Sequence, residues 1–317
     1  LHHWAGTWLH KPRKRPVTNW LKREFRRARY LLTRGPYLDP VHTRASIDPK
    51  AIAAAASAGE NLAILIPVRD AAQHIAPCLA QIAQLDIPRE RIKLVFCEGD
   101  SSDDTWERLN ALVEPIRGNY REVVLLRKDV GTRFSHRLRW KSDIQRARRS
   151  GIAKVRNHLI DHGVNSSDDW VLWIDADVWS YPADVVATLK ATGARIAAPH
   201  CVTRHGGPCF DQNTFITVEA KRDHAYYRDV KHGLHMPPLN RGRRLYLDDL
   251  RHSDVVPLDS VGGTMLLVDA ALHRAGLRFP EIPYEDLIET EGFGRLARDL
   301  GIHIAGLPNV EVLHVPW

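Results

Sequence analysis

Asp175-Ala176-Asp177 closes the apolar run Trp170-Val171-Leu172-Trp173-Ile174, so two carboxylates one residue apart stand where a buried strand meets solvent. In an open α/β sheet, ligands bind outside the carboxyl ends of the strands. Two hard oxygen donors at such a rim suit Mg²⁺ or Mn²⁺, and a cation there would hold a diphosphate. A lone Asp-x-Asp is more often an acidic turn. The residues around this one decide between the two readings.

Two other apolar runs also end in polar residues. Leu62–Ile66 leads into Pro67, Arg69 and Asp70, and Ile92–Cys97 leads into Glu98, Gly99 and Asp100. In a parallel sheet these ends meet Asp175 and Asp177 on one edge, where Glu98 and Asp100 would accept hydrogen bonds from a base or ribose. The helix expected before the Asp175 strand carries Arg148, Arg149, Lys154, Arg156 and Asn157, placed to face a phosphate or to be solvated. His314 ends the last expected strand, where an imidazole would complete a metal shell around Asp177, although a terminal His alone is more often inert. Val261-Gly262-Gly263-Thr264 opens a strand with two glycines, which allow close approach by a ligand or a tight turn. Glu289 and Glu291 straddle Thr290 at a helix start, where the helix dipole favours carboxylates in any case. Glu291 is also spaced to pair with Arg295. Glu285 and Asp286 admit the same structural reading.

The frame that would position these groups is legible as alternation. Strands are expected at Leu62–Ile66, Ile92–Cys97, Val123–Leu126, Trp170–Ile174, Ala194–Ala198, Thr264–Val268 and Val310–His314. Between them the pattern predicts helices over Ala71–Gln84, Thr105–Val113 (capped by Ser101-Ser102-Asp103-Asp104), Leu138–Asp161 with an interruption near Gly151, and Asp286–Leu300. Strands alternating with helices imply an α/β fold with a mostly parallel, doubly wound sheet. Pro199–His252, rich in Gly, Pro, His and Arg, is too long for a plain connector and is expected to carry function or mobility.

With 317 residues, 44% hydrophobic and 26% charged, the chain reads as an ordinary globular protein with a sizeable core. No apolar run reaches the length of a membrane span, and nothing at the start resembles a signal peptide. The chain opens on Leu1, so an upstream anchor stays open. Cys78, Cys97, Cys201 and Cys209 show no paired spacing and point to a reducing compartment or to no role. His200, Cys201, His205 and Cys209 invite a zinc reading, but their spacing fits no standard site. Residues 1–36 hold ten Lys or Arg against Glu24 alone, so they account for the whole net charge of +7. Val17, Trp20, Leu21, Phe25, Ala28, Leu31 and Leu32 recur there at helical spacing, which makes a basic amphipathic helix. Such a helix lies on an anionic membrane surface, packs on its own domain, or touches nucleic acid.

The ordered blocks together resemble the nucleotide-sugar glycosyltransferases of GT-A fold, and more narrowly the fungal Golgi mannan-polymerase α-mannosyltransferases, glycosyltransferase family 62. The matching stretches begin with Ile64-Leu-Ile-Pro-Val-Arg-Asp-Ala, Ala153-Lys-Val-Arg-Asn-His-Leu and Trp170-Val-Leu-Trp-Ile-Asp-Ala-Asp-Val. The most specific are Val256-Pro-Leu-Asp-Ser-Val-Gly-Gly-Thr-Met-Leu-Leu-Val, Leu287-Ile-Glu-Thr-Glu-Gly-Phe, and Gly306-Leu-Pro-Asn followed by His314. Asp211-Gln-Asn-Thr-Phe and the Arg204 region are weaker echoes. Residues 1–60 read as the basic arm and a linker and depart from the fungal members; the resemblance implies one GT-A domain over 61–317, with a nucleotide half to about 180 and an acceptor half beyond. It also implies that Asp175, Asp177 and His314 bind the metal, with Mn²⁺ the usual ion. Pro67, Arg69, Glu98 and Asp100 match the region that holds the nucleoside, and Arg156 and Asn157 match the helix that buttresses the donor, beside Asp175 and Gly263. Asp259 and the Glu289-Thr290-Glu291 segment would face the transferred sugar and the acceptor, and are the candidate catalytic residues.

In inverting GT-A members the second acid of a late pair serves as base. Counted back from Gly301, that position falls on Thr290, which agrees with the retaining mechanism the resemblance implies; a register shift of two would put Glu291 there. The expected activity is therefore metal-dependent retaining transfer of a sugar, mannose from GDP-mannose first, onto a glycan, lipid-linked or other hydroxyl acceptor. A UDP-sugar donor is the nearest rival, and transfer to nucleic acid through the basic arm is the reading from another class. A catalytically silent partner subunit is opposed by intact Asp175, Asp177 and His314. The expected location is cytoplasmic or peripheral on a cytosolic membrane face, or the Golgi lumen for a trimmed fungal-type chain.

Overall fold

Runs rich in Leu, Ile and Val build the frame: β1 (Leu62–Val68), β2 (Ile92–Glu98), β3 (Glu122–Arg127), β4 (Trp170–Ile174), β5 (Val178–Ser180) and β6 (Ile196–Val202). The short pieces β7 (Phe215–Thr217), β8 (Val230–Lys231), β9 (Leu234–His235) and β10 (Arg244–Tyr246) follow, then β11 (Val256–Pro257), β12 (Met265–Asp269) and β13 (Ile304–His314). The helices are α1 (Pro49–Ala54), α2 (Ile75–Ile82), α3 (Thr105–Val113), α4 (Ser142–Gly163), α5 (Val185–Lys190), α6 (His224–Asp229), α7 (Ala270–Arg274) and α8 (Glu289–Asp299). This computed structural model describes residues 47–57, 59–132, 134, 141–218, 222–237 and 244–315, together with 21, 22, 24, 25, 28, 29 and 32. The basic arm expected over residues 1–36 lies almost wholly outside the described residues. No helix among the described residues is long and apolar enough to cross a membrane.

One nine-stranded sheet runs β11-β13-β6-β12-β4-β1-β2-β3, with β5 joined to β13. β4, β1, β2 and β3 are parallel, and β12 runs antiparallel to both β4 and β6, so β6 and its parallel neighbour β13 share the direction of β4. The α/β, mostly parallel sheet expected from the sequence is thus present. Six strands end on one edge, and β12 begins there.

Alternation places side chains on two faces. Leu62, Ile64 and Ile66 pack with Ile75, Leu79 and Leu109 on one side, while Ala63 and Leu65 join Leu159, Trp173, Phe279 and Phe293 on the other. Both faces are covered, which is why these strands read as continuous apolar runs.

Four local expectations are corrected. β1 continues through Pro67 to Val68, because Ala63–Val68 still pairs with β2 around a residue that needs no N–H there. α4 is unbroken at Gly151, whose missing Cβ leaves room for Thr132, since an added carbon would lie 2.7 Å from its Cγ2. β13 starts at Ile304 rather than at Val310, with a register shift against β6 between Leu307 and Glu311. Arg295 pairs with Asp299 at 3.2 Å and leaves Glu291 to another partner.

Candidate active site

The end of β4, the start of β12 and the end of β13 bring Asp175, Asp177, Gly263 and His314 together. Thr264 lies opposite Asp175, whose N–H donates to the Thr264 carbonyl at 3.0 Å. β5 follows Asp177 directly and pairs with β13 through His314 and Val178, which carries the far strand back over the cleft. His314 Nε2 then lies 3.0 Å from Asp177 Oδ2, and Phe210 stacks on the imidazole with ring centroids 4.1 Å apart.

His314 Nδ1 faces the Val315 carbonyl oxygen, a contact that needs the proton on Nδ1. Nε2 therefore meets the Asp177 carboxylate with a lone pair, unless a second proton or a cation stands between them. Burial alone would lower the imidazole's pKa, but the bond to Asp177 and its charge raise it. Two donors about 2.1 Å from one octahedral cation and at right angles sit about 3.0 Å apart. The residues present thus fit a divalent ion, and an imidazole among the donors favours a transition ion such as Mn²⁺ over Mg²⁺.

Arg156, on α4, is 3% exposed and packs against the rings of both Trp173 and Phe279, 5.2 Å from each centroid. Its Nη2 donates to Asp175 Oδ1 at 3.2 Å and to the Gly263 carbonyl at 3.3 Å. Nε and Nη1 are buried with no hydrogen-bond partner among the described residues. Buried donors left bare in this way call for an acceptor. Desolvation pushes the Asp175 carboxyl up to about 6; Arg156 opposes the rise, and Asp177 and Asp211 add to it. Asp175 is thus tied to a cation of the protein, whereas Asp177 faces His314.

The glycine pair is explained by what crosses it. A Cβ on Gly262 would lie 1.7 Å from Asp211 Oδ2, and one on Gly263 would lie 2.2 Å from Arg156 Nη2. Asp211 accepts from the Thr264 hydroxyl at 2.8 Å and so locks the start of β12. Neither Asp211 nor Phe210 was recognised as part of the site from sequence, beyond the weak echo at 211–215. The signal available was the glycine pair, which demanded that something pack against it.

The nucleoside-side candidates lie at the ends of β1 and β2, where the parallel register brings them to the same edge, and most are already engaged. Glu98 accepts from Ser101 N at 3.2 Å and Arg127 Nε at 3.1 Å. Asp100 stands at φ 58° and accepts from the backbone of Val130, Gly131 and Thr132 at 3.1–3.2 Å. These bonds hold its carboxyl below the usual range despite burial, which acts the other way. Arg69 donates to the Thr132 carbonyl at 2.8 Å, and Pro67 sits within β1. Asn157 pins the Phe279 backbone through both amide atoms, each at 3.0 Å, rather than turning to Arg156.

The late-helix acids are paired too. Arg149 holds Glu289 at 3.0 Å, and Arg244 takes Glu291 in two bonds of 2.7 and 3.3 Å. Burial raises the Glu291 carboxyl against the pull of Arg244. Between them the Thr290 hydroxyl and Glu289 Oε2 are buried without partners among the described residues. Asp259 accepts from Thr217 N at 2.7 Å and pairs with Arg298, on the wall of a cleft of about 100 Å³ that Arg244 also lines. The late-helix segment adjoins the donor-side group, since a Cβ on Gly263 would lie 3.1 Å from Thr290 Cγ2.

A family profile described as Anp1 matches residues 47–283. The mannan polymerase complex subunit mnn9 of Schizosaccharomyces pombe is 29% identical over 272 residues, covering 80% of this chain and 80% of that protein. The mannan polymerase II complex anp1 subunit of the same yeast is 28% identical over 275 residues, covering 81% of this chain and 64% of that protein. Among solved structures, the mannosyltransferase PcManGT of Pyrobaculum calidifontis, in complex with GDP-Man and Mn²⁺, overlays with a TM-score of 0.46 at 14% identity, covering 93% of this chain and 68% of that one.

Proposed function

The chain belongs to the Anp1 family, and from that membership and the site we propose a metal-dependent, retaining glycosyltransferase that uses a nucleoside-diphosphate sugar, GDP-mannose first. The observation that carries the reading is the 3.0 Å approach of His314 to Asp177 beside a buried Arg156 with two unpaired donors. That arrangement suits a diphosphate. The relatives named as mannan polymerase subunits favour mannose as the sugar.

Asp177 and His314 would hold the ion, with Asp175 contributing beside Arg156. When bound, the ion would neutralise charge that grows on the leaving diphosphate. Arg156 is preorganised for the same charge, because its guanidinium is fixed by two rings and two acceptors before any substrate arrives. Glu291 and Asp259 are each taken by an arginine, and Glu289 is held by Arg149 through Oε1 with Oε2 buried, so the departing phosphate is assigned the acceptor's proton. The acceptor hydroxyl then attacks the anomeric carbon from the face the diphosphate leaves. The bond from that carbon to the phosphate oxygen breaks as the new glycosidic bond forms, and the acceptor proton passes to the departing phosphate. The acceptor is assigned to the cleft lined by Phe215, Arg244 and Asp259, which is open to solvent.

Incubation with Mn²⁺, a mannoside acceptor and either GDP-mannose or UDP-sugars tests this reading. GDP release with an α-linked product supports it. Product from UDP-sugars alone would overturn the donor assignment, and a β-linked product would overturn retention.

A further inference from the structure

The strand and loop behind Phe210 carry a second group of metal donors. One donor atom from each of His200, Cys209 and Asp248 lies within 4.8 Å of the others. The His200 ring is fully enclosed, and its Nδ1 lies 3.0 Å from the Pro308 carbonyl oxygen. That contact places the proton on Nδ1 and leaves Nε2 as a bare lone pair, buried without a partner among the described residues. A carbonyl-bound Nδ1–H opposite a free Nε2 is how ligating histidines are usually oriented. Asp248 Oδ1 is likewise buried and unpartnered among the described residues. Each bare atom carries a desolvation cost that a cation between them would remove.

Cys209 supplies the soft donor. Without a cation its S–H donates to the Asp211 carbonyl at 3.4 Å, and burial and the charges of Asp211 and Asp248 push the thiol up, against a backbone hydrogen bond from Leu247. The four residues that the sequence suggested do not assemble. Cys201 follows His200 on β6 and packs into the core on the opposite face, and the His205 side chain is 74% exposed and pairs with Glu311. Asp248, from the turn Leu247–Leu250, takes the place that sequence spacing left empty.

We propose that His200, Cys209 and Asp248 bind a thiophilic divalent cation, zinc first, at a site separate from Asp175, Asp177 and His314. One thiolate, one imidazole and one carboxylate make a three-ligand tetrahedral set, with water as the fourth donor. Donors on such an ion stand about 3.3–3.6 Å apart, so a side-chain adjustment of about 1 Å closes the group. The ion would tie β6 to the loop ending at Cys209 and to the Leu247–Leu250 turn. The next two residues of that loop are Phe210, stacked on His314, and Asp211, bonded to Thr264. The ion is therefore a clamp that fixes the imidazole's neighbour. It does not depend on the donor sugar or on the transfer reaction.

Cobalt titration of the chelator-treated full chain tests the site, because a thiolate on Co²⁺ gives a charge-transfer band in the near ultraviolet that oxygen and imidazole donors do not. The expected result is one such band per chain, displaced by zinc, kept in Cys78→Ser and Asp177→Ala and lost in Cys209→Ser. Asp248→Asn, whose position is only partly buried, is expected to weaken cobalt binding at least tenfold with an unchanged far-ultraviolet circular dichroism spectrum. Absence of the band in the folded wild type overturns the site. A band that survives Cys209→Ser, or cobalt affinity unchanged in Asp248→Asn, overturns it equally.

Discussion

His314 Nε2 lies 3.0 Å from Asp177 Oδ2, although β13 and β4 are separated in the sheet by β6 and β12. The contact exists because β5, which starts right after Asp177, pairs with β13 across Val178 and His314. Asp177 also accepts from Val315 N at 3.1 Å through its backbone, so the last residues of the domain are stitched to the acidic turn twice. β13 thus closes over the acidic turn at the end of β4.

Gly262→Ala is expected to destabilise the protein by about 1–3 kcal/mol, the usual cost of forcing a carbon into a packed site. Its Cβ would fall 1.7 Å from Asp211 Oδ2, and Asp211 cannot move aside without giving up its bond from Thr264. Denaturant unfolding measures the loss, and wild-type stability would show that the loop does not pack as described.

Glu291→Gln decides whether this residue is a base. Glu291 is bound by both ends of the Arg244 guanidinium, and a glutamine keeps a hydrogen-bonding partner for it. The expected kcat stays within about tenfold of wild type, because the group lost would be a spacer and not a proton acceptor. Removal of a general base costs about 10²–10⁴. A fall of that size with the fold intact would favour an inverting reaction.

Stability is expected to fall in mild acid through His273. The ring is fully buried, with Nδ1 2.9 Å from the Leu277 carbonyl oxygen and Nε2 accepting from Trp173 Nε1 at 3.2 Å. Burial lowers its pKa from 6.5 to about 4. The unfolded chain therefore takes up the proton first, so this stabilisation is complete above pH 6.5 and is lost as pH falls toward 4. The full effect is on the order of 3 kcal/mol. Urea unfolding between pH 7.5 and 4.5 should show a shallower decline for His273→Gln than for wild type; parallel declines would contradict the role.

Much of this arrangement was legible in the sequence. Asp175 and Asp177 stood out because a continuously apolar strand ended on them, and the parallel sheet followed from strand and helix alternation. His314 is a weak signal by itself at the end of an expected strand and gains weight through resemblance, since a single terminal imidazole has no periodicity to announce it. The arginine partners were not legible. Arg149 and Arg244 reach Glu289 and Glu291 from α4 and β10, and the nearest sequence candidate for Glu291, Arg295, turns to Asp299. Pairings between distant segments leave no spacing signal. The interruption expected at Gly151 failed for a related reason, because a glycine demanded by packing against Thr132 looks in sequence like a helix breaker.

Asp168→Ala separates stability from catalysis. At the far end of β4, Asp168 holds the fully buried Lys93 at 2.5 Å and Arg121 at 2.5 Å. Removing it leaves the buried ammonium with the weaker partner Glu122 at 3.9 Å, at a cost of about 3 kcal/mol. Transfer by the folded fraction should be unchanged, since the pair sits at the edge opposite the site. Thermal unfolding and activity at low temperature check both halves.

The central claim is that Asp177 and His314 hold the ion that binds the donor's diphosphate. Calorimetric titration of GDP into wild type, Asp177→Ala and His314→Ala, with and without Mn²⁺, tests it most directly. Wild type should bind GDP at least tenfold more tightly with Mn²⁺, and both variants should lose that enhancement while keeping the wild-type circular dichroism spectrum. An unchanged Mn²⁺ enhancement in Asp177→Ala would contradict the account.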